Sequence, residues 1–191
     1  MKQTEQMIIT SNCNVTNRSV QLIDYIPLQL HSDSGCVSPD YYQIRKGDSS
    51  LLELAFDEAS SIIHRVTLLI CEDFHIMNEE YSIPDGCVEG DILLDASGTE
   101  ESEVFLCNVF PNAVRITLSS LPCSTRIRSG NVIWELTEQG ELLSLCVIDP
   151  TGELSAHCGN ELSDVYKEDS DWESSSQDYS TESGSRLISQ S

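Results

Sequence analysis

From Ala113 to Leu121 the chain reads AVRITLSSL, with Val114, Ile116 and Leu118 at one set of alternate positions and Arg115, Thr117 and Ser119 at the other. A period of two is the mark of a strand with one buried and one wet face, because successive side chains leave opposite sides of the pleat. Further short apolar, β-branched runs occur at 7–11, 20–30, 41–45, 51–56, 62–70, 74–77, 91–95, 103–110, 131–136 and 141–148. Turn-forming groups separate them, among them SDSG at 32–35, PDG at 84–86, SGTEE at 97–101, TEQG at 137–140 and DPTG at 149–152. The pattern predicts an all-β fold, or a mainly β fold with one short helix, built as an antiparallel sandwich or barrel. The helix candidate is 49–64, SSLLELAFDEASSIIH, where Ser49 or Ser50 stands at a capping position and Leu52, Ala55, Phe56, Ala59 and Ile63 recur at helical spacing. A strand reads equally well there.

After Cys158 the pattern stops. Residues 163–191 hold ten serines, and Val165, Tyr166, Trp172, Tyr179, Leu187 and Ile188 are the only sizeable apolar groups. That is too little apolar mass to offset the entropy of ordering the segment. The expected organisation is therefore one β-rich acidic domain over 1–160 and a disordered Ser/Asp/Glu-rich tail over 161–191.

Charge narrows the function classes. The chain carries 32 acidic and 10 basic side chains, a formal net charge of -22. Eight acids and two bases in 161–191 account for -6 of this, leaving -16 on 1–160. A body of that sign is a poor ligand for nucleic acid or an anionic membrane, both of which require Lys and Arg against phosphate. A basic protein surface is the natural complement. With no apolar run long enough to span a bilayer and no signal-like N-terminus, the expected location is intracellular, cytoplasmic or nuclear.

The eight cysteines read as mostly reduced thiols, since Cys71, Cys107 and Cys146 lie inside apolar runs, while Cys13, Cys36, Cys87, Cys123 and Cys158 have more polar, turn-like neighbours. No two of them stand at the C-x₂₋₄-C spacing that lets one turn present two thiolates, and no phosphate-binding, nucleophile-elbow or H-E-x-x-H motif occurs. No catalytic residue, metal ligand or cofactor is assigned from the sequence. An enzyme of unfamiliar type would require histidine and cysteine from distant positions to converge in the fold.

Two stretches resemble short recognition motifs. Asp33-Ser34-Gly35-Cys36-Val37-Ser38 is similar to the D-S-G-x-x-S phosphodegron read by the β-transducin-repeat receptor of a cullin ubiquitin ligase, which implies phosphorylation of Ser34 and Ser38. Leu69-Ile70-Cys71-Glu72-Asp73 resembles the L-x-C-x-E ligand of retinoblastoma-type pocket proteins, with Asp in place of the final Glu. In the tail, Ser170, Ser175 and Ser176 stand in acidophilic or SQ kinase contexts.

The leading expectation is thus a non-enzymatic, acidic protein-binding module of inhibitor, charge-mimic or chaperone type. Its contact acids are expected at Glu89, Asp91, Asp95, Glu100, Glu101 and Glu103. The alternative is a regulatory or viral adaptor that works through the DSGCVS loop and the phosphorylatable tail.

Overall fold

The computed structural model describes residues 7–10, 18–33, 36, 38–94 and 98–175, with side chains for those between 18 and 164. One sheet of six strands follows the spatial order β10 (Gly98–Glu101), β4 (Pro39–Lys46), β5 (Ser50–Asp57), β6 (Ile63–Cys71), β3 (Ile26–Ser32) and β2 (Arg18–Ile23). A second sheet of seven strands runs β7 (Phe74–Ile76), β11 (Leu106–Phe110), β12 (Ala113–Thr117), β15 (Leu142–Ile148), β14 (Val132–Leu136), β13 (Thr125–Ser129) and β8 (Val88–Glu89). Among the described residues β1 (Met7–Thr10) pairs only with β9 (Asp91–Leu94), and α1 (Glu153–Ser175) follows the last strand.

The sheets form a mainly β sandwich whose inner faces meet in one core. Leu28 and Leu30 of β3, Leu52 and Leu54 of β5, and Val66 and Leu68 of β6 are all buried. They share that core with Val114 and Ile116 of β12, Leu145 and Val147 of β15, and Trp134 of β14. Each fully buried aliphatic side chain contributes about 1.5–3 kcal/mol of transfer free energy. On β12 the alternation read from the sequence holds, with Val114 and Ile116 inward and Arg115 and Thr117 half-buried on the outer face.

Several expectations are corrected. The expected antiparallel arrangement holds within the sheets, but β10–β4, β7–β11 and β8–β13 are parallel pairs at sheet margins, so both sheets are mixed. The run 20–30 is not one strand. Asp24 and Tyr25 turn the chain between β2 and β3, with Tyr25 at a φ of 68°, and a period-two pattern cannot reveal a hairpin whose turn residues themselves alternate. Of the two readings at 49–64 the strand one holds, because β5 is paired on both sides, by β4 and β6, and a paired backbone outcompetes weak helical propensity. β6 is likewise flanked by β5 and β3; Ile70 and Cys71 pair with Leu51 and Ser50 of β5, while Leu69 falls at the register shift beside Leu68 and is exposed.

The helix lies past DPTG instead. Asp149 accepts a hydrogen bond from the Ser155 amide at 3.0 Å, and Thr151 accepts one from the Glu153 amide at 3.4 Å, so these two side chains satisfy donors of the first turn. Gly152 has a φ of +75°, and a Cβ there would meet the Pro111 carbonyl at 3.0 Å. From that start Leu154, Cys158 and Leu162 fall at steps of four and are all buried in the core. His157 Nε2 lies 3.0 Å from the Ile26 carbonyl and Glu161 accepts the Tyr25 amide at 2.8 Å, fastening the helix to the β2–β3 hairpin. Cys158 is therefore a buried helical residue, not a turn thiol, and the ordered body continues past the boundary expected at 160.

Candidate functional site

Exposed acids gather where the β4–β5 turn meets β10. All four residues of β10 are exposed, and among the described residues β10 pairs only with β4, leaving its outer edge open. Glu101 accepts the Gly47 amide at 3.3 Å, and the Ser102 amide donates to the Arg45 carbonyl at 2.6 Å, which carries the edge up to the turn. From the other side, the Glu72 amide donates to the Ser49 carbonyl at 3.1 Å, and Asp73 lies 4.0 Å from Lys46 Nζ. Asp48, Glu72, Asp73, Glu100, Glu101 and Glu103 thus surround one turn, all exposed, with Arg45 and Lys46 as the neighbouring cations. Glu100 is oriented by a hydrogen bond from the Tyr42 hydroxyl.

The structure divides the acids proposed from the sequence. Glu100, Glu101 and Glu103 lie together. Glu89 is exposed but sits on β8, at the margin of the other sheet, 4.0 Å from Arg128. Asp91 is a correction: it is buried, not a surface contact. Arg18 Nη1 lies 3.6 Å from it, and the Ser129 hydroxyl donates to it. Asp95, Ser34 and Ser176 lie outside the described residues. Ser38 is exposed, and its carbonyl accepts the Glu58 amide at 3.3 Å. Ser170 and Ser175 fall within the backbone span of α1.

Sequence reasoning missed the Arg18 site because its parts come from five elements. Arg18 on β2 donates from Nη1 to Ser129 Oγ at 2.5 Å and from Nη2 to the Ile63 carbonyl at 3.1 Å, and its guanidinium lies 5.8 Å from the Trp134 ring centroid. Burial presses its pKa downward, against the charge and hydrogen bond of Asp91. The role is structural: the group ties β2 and β6 to β9 and β13.

The outer face of the seven-stranded sheet carries a second polar group, beside a shallow cleft that Thr117, Ser119 and Cys123 help to line. Arg115 Nη2 and Arg126 Nε lie 2.7 and 2.9 Å from the two oxygens of Glu135, and the Ser144 hydroxyl donates at 2.7 Å. Burial alone would raise the Glu135 pKa, but the Ser144 hydrogen bond and the two guanidinium groups outweigh it, and the carboxyl is held below its ordinary value. A depressed folded pKa contributes stability above the unfolded value, about 4.3, that is lost as pH falls through the folded one. Glu135→Gln is accordingly expected to cost about 1–2 kcal/mol at pH 7, discounted because Arg126 is more than a third exposed. The gap from the parent should close as pH drops below about 4.3, which urea denaturation at a series of pH values would measure.

The inner thiols form a buried row. Hydrogen bonding to Cys158 and Cys71, together with burial, pushes the Cys107 thiol up, while hydrogen bonding to Cys107 draws Cys71 down. Cys146 lies apart from that row, in a separate cluster with Ala113 and Ile133 against which Tyr81 packs, and burial raises it to about 12. The seven described cysteines are free. No helix among the described residues is long and apolar enough to cross a membrane. No protein-family model matches the chain, and no curated protein is significantly similar to it.

Proposed function

We propose that this chain is a non-enzymatic protein-binding module whose acidic β4–β5 turn and β10 edge engage a basic protein surface, as an inhibitor, charge mimic or chaperone would. The observation that supports this is the gathering of Asp48, Glu72, Asp73, Glu100, Glu101 and Glu103 about one turn, beside an open strand edge. An exposed patch of one sign attracts a cationic partner by charge complementarity. The same charges deter edge-to-edge pairing with a second copy, so the edge is kept for a partner of opposite sign.

The test uses an arginine-rich peptide and a basic folded protein as probes. Association should slow by several-fold as salt rises from about 50 to 300 mM, because the Debye length falls below about 10 Å. The combined Glu100→Gln, Glu101→Gln, Glu103→Gln variant should bind about 3–10-fold more slowly, chiefly through the association rate. Glu79, Glu80 and Glu138 are also exposed, and their conversion to glutamine removes the same formal charge elsewhere. Equal slowing by both triple variants would reduce the edge to bulk charge and overturn the reading.

The alternative, an adaptor acting through the DSGCVS loop and the serine-rich tail, draws on the exposure of Ser38. It requires that Ser34→Ala with Ser38→Ala lengthen the lifetime of the protein in cells while leaving probe binding unchanged.

A further inference from the structure

At the far end of β4 from the acidic turn, three residues well apart in sequence converge. Cys36 lies in the β3–β4 connection, Asp57 is the last residue of β5, and His64 is the second residue of β6. The Cys36 sulfur, one ring nitrogen of His64 and one carboxylate oxygen of Asp57 all lie within 4.8 Å of one another. We propose that these three side chains form a binding site for a single divalent ion of the zinc class, with the fourth coordination position open.

The scaffold favours a preformed site. Asp57 and His64 flank one tight hairpin, closed by hydrogen bonds from the Asp57 amide to the Ile62 carbonyl at 3.0 Å and from the Ser61 amide to the Asp57 carbonyl at 2.7 Å. Asp57 Oδ1 accepts the Ala59 amide at 2.8 Å, which orients the carboxylate and leaves Oδ2 towards His64, 3.9 Å from Nε2. Support of this kind for a ligating carboxylate is part of how metal sites hold their geometry. The third ligand is brought in by the segment that the Glu58 amide fastens at the Ser38 carbonyl, 3.3 Å away. His64 is buried, and Cys36 and Asp57 are half-buried.

Donor chemistry selects the ion. Bond lengths near 2.3 Å to sulfur and 2.0–2.2 Å to nitrogen and oxygen place tetrahedral ligand atoms about 3.3–3.6 Å apart, so a closure of about 1 Å completes the site. Calcium and magnesium require oxygen ligands throughout, whereas a mixed sulfur, nitrogen and oxygen set suits zinc and its neighbours. Three protein ligands leave room for water or an exogenous group. The competing chemistry is a Cys-His-Asp nucleophile. That relay needs the two ring nitrogens to face different partners, with the carboxylate remote from sulfur. Here one nitrogen faces both, and the carboxylate lies within 4.8 Å of the sulfur rather than remote from it.

The site is independent of the acidic edge, so its test is too. The full chain, reduced and stripped of metal, is titrated with Co²⁺, following the thiolate-to-cobalt charge-transfer band and the visible bands of four-coordinate cobalt. The expected result is one equivalent bound and then displaced by Zn²⁺, with a higher thermal midpoint for the zinc-loaded chain. Cys36→Ala and Asp57→Ala should each weaken binding by at least about 10–100-fold. Cys87→Ala combined with Cys123→Ala should retain the bands, as should the Glu100, Glu101, Glu103 glutamine variant. Because His64 is buried, His64→Gln is assayed alongside these more exposed positions, so that misfolding of one variant does not decide the outcome. Absence of the charge-transfer band, its survival in Cys36→Ala, or its loss in the Cys87/Cys123 variant would each overturn the proposal.

Discussion

Asp91→Asn is expected to destabilise the protein by about 3–5 kcal/mol, the cost of leaving a buried cation without its counter-charge. The Arg18 and Asp91 side chains are 0% and 1% exposed, so solvent neither screens nor replaces the lost interaction. For a chain of this size the loss corresponds to a fall in thermal midpoint of about 6–20 °C. Arg18→Ala should lose a similar amount, since it strips Ser129 Oγ and the Ile63 carbonyl of a donor as well. Arg18→Met combined with Asp91→Ala should be less destabilised than the sum of the single changes, because the two groups then vanish together and apolar replacement of a buried pair is often close to neutral. Denaturant titration of the four proteins measures this coupling. An Asp91→Asn variant within about 1 kcal/mol of the parent would show that the guanidinium finds compensation elsewhere.

Shortening the chain gives the second large effect. A chain ending at Gly152 loses Leu154, Cys158 and Leu162 from the core and uncovers the side chains of β3 and β12 beneath the helix. Each buried leucine contributes about 2–5 kcal/mol, so the loss is a large fraction of the 5–15 kcal/mol that typically holds a domain together. Such a chain should fail to accumulate as a soluble, cooperatively melting protein. Ending at Asp164 keeps all three side chains, together with the Glu161 contact to the Tyr25 amide, and should leave the midpoint within about 2–4 °C of the full chain. A cut after residue 160, where the composition changes, removes Leu162 and that contact and should fall between the two. Identical melting of the chains ending at Gly152 and at Asp164 would mean that α1 contributes nothing to the core.

The boundary near 160 illustrates how local composition misleads. Leu154, Cys158 and Leu162 mark a helical stripe, but a stripe of three residues is weak, and the serines and acids that follow it dominate any window average. The signal was legible in a narrower form: Asp149 and Thr151 stand just ahead of residues spaced by four. By contrast, the strands around Val114, Leu145 and Trp134 were readable because a strand's period is short and each inward residue repeats the message.

Sequence alone determined that the chain would be built from short strands around an apolar core, that its surface would be strongly anionic, and that Cys71, Cys107 and Cys146 would be buried thiols. These follow from residue type and nearest neighbours, and alternation, charge and apolar context are all local quantities. Only the tertiary structure decided which acids meet. It buried Asp91 against Arg18, sent Glu89 to the margin of the other sheet and left Glu100, Glu101 and Glu103 beside Asp48 and Asp73. It also decided that Cys36, Asp57 and His64 converge, although no spacing motif joins them. The physical reason is the same in each case: the position of a side chain across a sandwich is set by strand order and register, and these depend on pairings between segments tens of residues apart.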